Sequence, residues 1–174
     1  LLFTYFGLGL LLSAQPIEWG TRTLTWDDFQ GNPNMKGHKA ETHSELSASF
    51  TADEDSLYFE VRCYFHPDRS WTREPDDDYL LNHEQRHFDL TEVYARRLRK
   101  TLTESRITVK NYRQVFSEAF KEMNRDLYHM QQLYDKETRH SIYKDAQAKW
   151  DELIDKELAL LDTYTDPIIA IAWP

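Results

Sequence analysis

Hydrophobic positions along the chain change period once, near residue 76. Before that point they alternate. Leu57, Phe59, Val61, Cys63 and Phe65 stand against Tyr58, Glu60, Arg62 and Tyr64, and alternation with aromatic and β-branched residues predicts a half-buried strand over 56–65. A second run over 41–51 places Leu46, Ala48 and Phe50 on one face. A third β-rich stretch over 17–29 is broken at Gly20. Residues 52–55 read as a turn and 31–34 as a loop.

After residue 76 the spacing is helical. Leu80, Leu81, His87, Leu90, Tyr94 and Leu98 mark a first helix behind the acidic start Asp76-Asp77-Asp78, which suits a helix N-terminus. Tyr112, Phe116, Phe120, Met123, Leu127 and Met130 mark a second helix over about 108–133, read as a core stripe. A third is predicted from about Lys136 to Leu161, with Ala146, Trp150, Leu158 and Leu161 inward. The apolar tail 166–173 is expected to pack back as an extended segment. Strands first and helices after predict an α+β domain with N-terminal antiparallel strands followed by three helices.

Composition narrows the function classes. The chain has 174 residues, 40% hydrophobic, with a net charge of −9. One domain over 15–174 is expected, and an acidic balance argues against nucleic acid as a partner. The opening LLFTYFGLGLLL, followed by Ser13-Ala14, has the length and ending of a signal-peptide apolar region. Twelve apolar residues are too few to span a bilayer. Residues 1–14 are therefore read as a signal peptide truncated at its start, and the protein as exported, periplasmic or secreted, with no stable membrane span once the signal is removed. Cys63 is the single cysteine, so an inert buried thiol is expected.

The first helix carries the candidate chemistry in His83-Glu84-Gln85-Arg86-His87. Histidines four apart lie one turn apart and point the same way, so both rings can meet one metal ion. Glu84 falls about 100° round the helix, near enough to act as a base without being a ligand. This is the H-E-x-x-H arrangement of zinc proteases. A catalytic zinc needs a third protein ligand. Glu92 lies on the opposite side of the helix and reads as an ion-pair residue for Arg96. His140 is the better candidate, at the start of the third helix, with Glu137 as the fallback. Gln147 shares its face, and Asp89, Glu92 or Gln147 are expected to orient a ligand imidazole. Tyr134 and Tyr143 are the candidates for stabilising a developing oxyanion. His38, His43, His66 and His129 read as surface or locally bonded.

The run Leu81-Asn82-His83-Glu84-Gln85-Arg86-His87-Phe88-Asp89-Leu90-Thr91-Glu92 resembles the core motif of a bacterial family of predicted secreted zinc-dependent proteases, a domain-of-unknown-function family. Leu24-Thr25-Trp26-Asp27-Asp28-Phe29, Ser70-Trp71 and Ala95-Arg96-Arg97-Leu98-Arg99 match further pieces in order. Tyr134-Asp135, Glu137-Thr138, His140, Gln147 and Trp150 resemble the family's later motif. Arg86 departs from it, where a small residue is usual, and so does Ser141, where glycine is common. Arg86 is expected to place a cation near the site and alter access. The resemblance implies a small zincin-like fold and matches His140 to the later motif's histidine.

The function expected is hydrolysis of peptide bonds in a peptide or protein substrate. One zinc ion per chain would be held by His83, His87 and His140, with Glu84 as general base. The alternative is a non-catalytic zinc-binding module of the envelope or secreted space.

Overall fold

The computed structural model describes residues 14–33 and 37–172. The expected signal segment lies outside them, apart from Ala14. Strand β4 (Ser56–Phe65) is the centre of the sheet. Its alternation holds throughout: Leu57, Phe59, Val61, Cys63 and Phe65 are all buried. Burial also pushes the Cys63 thiol pKa up, as an inert thiol requires.

Strand β3 (Ser44–Ala52) runs antiparallel to β4 along its whole length, from Ser44 opposite Phe65 to Ala52 opposite Leu57. The turn between them is tied by the Asp53 carboxylate, which accepts from the Asp55 and Ser56 amides. The other edge of β4 is shared. β1 (Ile17–Glu18) pairs with Phe65 and Tyr64, and β6 (Ile168–Ala172) pairs with residues 56–60. The C-terminal tail thus returns as an antiparallel strand. The stretch 17–29 gives only β1 and a 3-10 turn at Trp26–Asp28. Gly20, at φ 86°, ends β1 in a conformation that other residues rarely adopt. A separate two-stranded ribbon joins β2 (Ala40–Glu41) to β5 (Trp71–Thr72).

Three helices follow. Helix α1 (Asp78–Glu104) starts where Asp77 accepts from the Leu80 amide at 3.0 Å, a side-chain N-cap. It buries Phe88, Leu90, Val93, Ala95, Leu98 and Leu102. Helix α2 (Tyr112–Thr138) adds the aromatic stripe, with Phe116 stacked on Phe59 and Phe120. Helix α3 (Lys144–Leu160) packs Trp150 and Ile154 into the same core.

The break between α2 and α3 falls later than the pattern predicts. α2 continues to Thr138, and α3 begins only at Lys144. His140 and Glu137 are therefore not on the third helix. Glu137 lies in the last turn of α2, and His140 in the connection. That connection is strained: Arg139, His140 and Ser141 have φ of 50°, 51° and 69°, the left-handed region that non-glycine residues avoid.

Candidate metal centre

The strained turn positions the site. Asp135, one turn before the end of α2, accepts the Arg139 and His140 amides on its carbonyl. Its side chain points to α1. There one carboxylate oxygen, Oδ1, meets three imidazole nitrogens: His83 Nε2 at 3.2 Å, His87 Nε2 at 3.1 Å and His140 Nδ1 at 3.1 Å. The three predicted ligands do converge, through an aspartate that sequence reasoning left out. The ligand atoms of His83, Asp135 and His140 all lie within 4.8 Å of one another, and His87 joins them through the shared oxygen.

This donor set fits a divalent transition metal. Ligand nitrogens and oxygens lie about 2.0–2.2 Å from zinc, so neighbours in a tetrahedron are about 3.3 Å apart. The three nitrogen–oxygen spacings are close to that edge length. Imidazoles with one carboxylate also suit zinc chemically.

The rings are held from behind. Gln147 of α3 faces His83 Nδ1 with its Oε1 at 2.9 Å, and its amide nitrogen donates to the Tyr134 hydroxyl. Gln131 of α2 does the same for His87 Nδ1 and also donates to the His87 carbonyl. Of the expected orienting residues, only Gln147 has that role. Asp89 accepts from Trp19, Gln85 and Arg86 instead. Glu92 sits between Arg96 and Arg99. Gln131 was missed; it lies one turn before Asp135 on α2, a signal readable only once that face is known to meet α1.

Electrostatics follow from the shared carboxylate. Burial works against a charged His87 ring. The hydrogen bond and charge of Asp135, with help from Glu84 and Gln131, outweigh it and hold the pKa at about 9. Burial likewise opposes a charged Asp135, but hydrogen bonds from His83 and His87 keep its carboxyl well below the usual range.

Glu84 is 3% exposed and lines the same cleft, about 960 Å³ in volume, as His87, Asp135 and His140. Its Oε2 is buried with no hydrogen-bond partner among the described residues. A bare buried carboxylate oxygen costs free energy unless something polar meets it. Residues 37–44 form the facing wall, tied to α1 where Thr42 donates to the Glu84 carbonyl at 3.1 Å.

Several expected roles fail on geometry. The Tyr134 hydroxyl is fully buried, donating to the His83 carbonyl and accepting from Gln147. Tyr143 is half exposed beside Arg139 and does not line the cleft. Glu137 accepts from the Trp150 indole at 2.9 Å, so it is not poised as a ligand. Arg86 turns toward Asp89 of α1 and toward Asp151 and Asp155 of α3, and does not line the cleft.

Residues 67–141 match the model of a family described as bacterial protein of unknown function (DUF922). The matched stretch contains His83, Glu84, His87, Asp135 and His140. No curated protein matches the chain significantly. No solved structure does so either.

Proposed function

We propose that this chain is a zincin-like, metal-dependent hydrolase of peptide bonds, exported from the cell. His83, His87 and His140 would hold the metal, joined or assisted by Asp135. The observation that carries the reading is the Glu84 carboxylate: buried, lining the cleft beside the convergent imidazoles, and bare on one oxygen. A zinc ion held there would supply a bound water with a pKa of about 7 and a Lewis acid for the carbonyl. Glu84 takes a proton from the attacking water and returns it to the leaving amine, a role worth roughly 10²–10⁴-fold. Gln147 and Gln131 hold the rings in place, as partners behind a ligand imidazole do. Export rests on the N-terminal apolar run, and a peptide substrate rests on the motif resemblance and the open cleft. No helix among the described residues is long and apolar enough to cross a membrane.

One observation favours a second reading. Three imidazoles and Asp135 supply four donors, enough to close a structural zinc site, as in a non-catalytic envelope or secreted module. Glu84→Gln separates the two. A hydrolase keeps its metal and loses peptide cleavage in this variant. Cleavage retained by Glu84→Gln removes Glu84 from the base role. Failure of the wild-type chain to retain zinc after dialysis against metal-free buffer removes the metal centre altogether.

A further inference from the structure

When water attacks a peptide carbonyl, negative charge gathers on the carbonyl oxygen. A donor fixed beforehand near that oxygen is among the largest single contributions to such a reaction. The cleft offers few. Tyr134 is committed within the core. The Arg139 guanidinium lies over the Tyr143 ring and bonds its hydroxyl. The Lys144 ammonium lies over the Tyr79 ring. The Tyr79 hydroxyl is buried with no hydrogen-bond partner among the described residues, and Tyr79 lines the cleft, but its ring lies under Lys144 and no ring contact joins it to a candidate ligand.

His38 combines two features that none of these has together: it lines the cleft and its ring touches a candidate ligand. Its ring centroid is 4.5 Å from that of His140, tilted by 58°. It lines the same cleft as Glu84 and His87, on the wall formed by residues 37–44. Neither of its ring nitrogens has a hydrogen-bond partner among the described residues, whereas His83, His87 and His140 each face Asp135. Its backbone is anchored. Arg73 donates from its guanidinium to the His38 carbonyl at 3.3 Å and from its amide to the Lys39 carbonyl at 2.8 Å. The next residues form β2, paired to β5. A free imidazole on a fixed wall, in contact with a candidate ligand, is placed to donate into the space in front of the donor set. Either neutral tautomer carries one N–H for this.

We propose that His38 is a catalytic residue that hydrogen-bonds the substrate carbonyl oxygen as its charge develops. The proposal rests on the hydrolase reading. In the step concerned the water oxygen bonds to the carbonyl carbon and the carbon–nitrogen bond breaks. The amine leaves with the proton that Glu84 carried. His38 donates a hydrogen bond throughout and ends unchanged.

The test uses the chain loaded with cobalt(II), whose visible spectrum reports coordination, and acetohydroxamate as a small oxygen-donor probe indifferent to peptide sequence. Wild type, His38→Ala and His38→Gln are titrated. The expected result is an unchanged cobalt spectrum without the probe in all three, and acetohydroxamate affinity weakened about tenfold or more in His38→Ala. Partial recovery is expected in His38→Gln, which keeps an N–H donor. Equal affinity in wild type and His38→Ala overturns the proposal and leaves the metal site standing. A changed probe-free spectrum in His38→Ala also overturns it, since His38 is then a ligand. Failure of wild type to bind cobalt, or to respond to the probe once loaded, overturns the hydrolase reading itself.

Discussion

Glu92 separates a structural carboxylate from a metal-binding one. It lies on α1 nine residues after His83 and is 3% exposed. Its Oε1 accepts from Arg96 Nε at 3.0 Å and from Arg99 Nη1 at 2.8 Å. Both cations are themselves buried. Arg99 donates further to the Val61 carbonyl of β4 and the Tyr164 carbonyl near the C-terminus, and Arg96 to the Leu158 carbonyl of α3. One carboxylate thus pairs with two guanidinium groups that staple α1 to the sheet and to the end of the chain. Glu92→Gln keeps the volume, so no cavity forms, but it leaves Arg99 without its counter-charge and Arg96 with only the exposed Asp162 at 3.9 Å. Removing one partner of a buried pair costs about 3–5 kcal/mol. The backbone acceptors remain, so the low end, about 3 kcal/mol, applies. For a chain of this size that is roughly 6–12 °C in Tm. Thermal melting by circular dichroism measures it, and a zinc titration of the same sample shows whether the metal site survives. A fall of several degrees with zinc stoichiometry intact is expected. A Tm within about 1 °C of wild type, or lost zinc binding in a folded variant, refutes the reasoning.

Two further outcomes follow from the strained turn and the shared carboxylate. Ser141→Gly relieves a left-handed conformation costing about 1–2 kcal/mol against about 0.5–1 kcal/mol of glycine entropy. The net gain is on the order of 0.5–1 kcal/mol, a Tm rise of roughly 1–4 °C, and a fall in Tm contradicts the left-handed assignment. The second concerns pH. The His87 pKa is raised in the folded state, so its pairing with Asp135 stabilises the metal-free protein fully below about 6.5, the ordinary histidine value. That contribution is lost as pH rises through about 9. Metal binding needs the neutral ring, so metal affinity should rise over the same window. Urea melts in chelator at pH 6 and pH 9.5, with Asp135→Asn as control, measure the difference, and a wild-type chain equally stable at both sinks the pairing.

What was legible in the sequence divides along a physical line. The period-two run of β4 and the helical run of α1 each bury one face, so their patterns survive into the structure. Histidines spaced four apart on α1 are local geometry, and so is the Glu92–Arg96 pair. The end of α2 was not legible. No glycine or proline stands between Pro75 and Pro167, and the break is made by three non-glycine residues in left-handed backbone. Sequence signals for helix ends rest on glycine and proline, so the boundary slipped and carried His140 and Glu137 onto the wrong helix. Asp135 was missed for a related reason. Its importance lies in where α2 crosses α1, and an aspartate near a helix end reads from sequence as a solvated charge.

The same strain bears on what the site is for. Three left-handed residues in a row are costly, and a chain that only had to join two helices had cheaper connections of similar length. What this turn achieves is specific: Asp135 stays on the helix while His140 swings back toward the same oxygen. On the other side of that oxygen, α1 offers two imidazoles braced by Gln147 and Gln131. A purely structural cluster gains nothing from Glu84, buried beside it with one oxygen bare. In the metal-free fold that carboxylate helps to charge His87, yet one of its oxygens is buried without a partner among the described residues. Its presence makes sense if a water stands between it and a bound metal, and the open cleft has room for that water. The bare Glu84 oxygen and the strained turn are separate costs, in α1 and after α2, and both converge on the same small volume of the cleft.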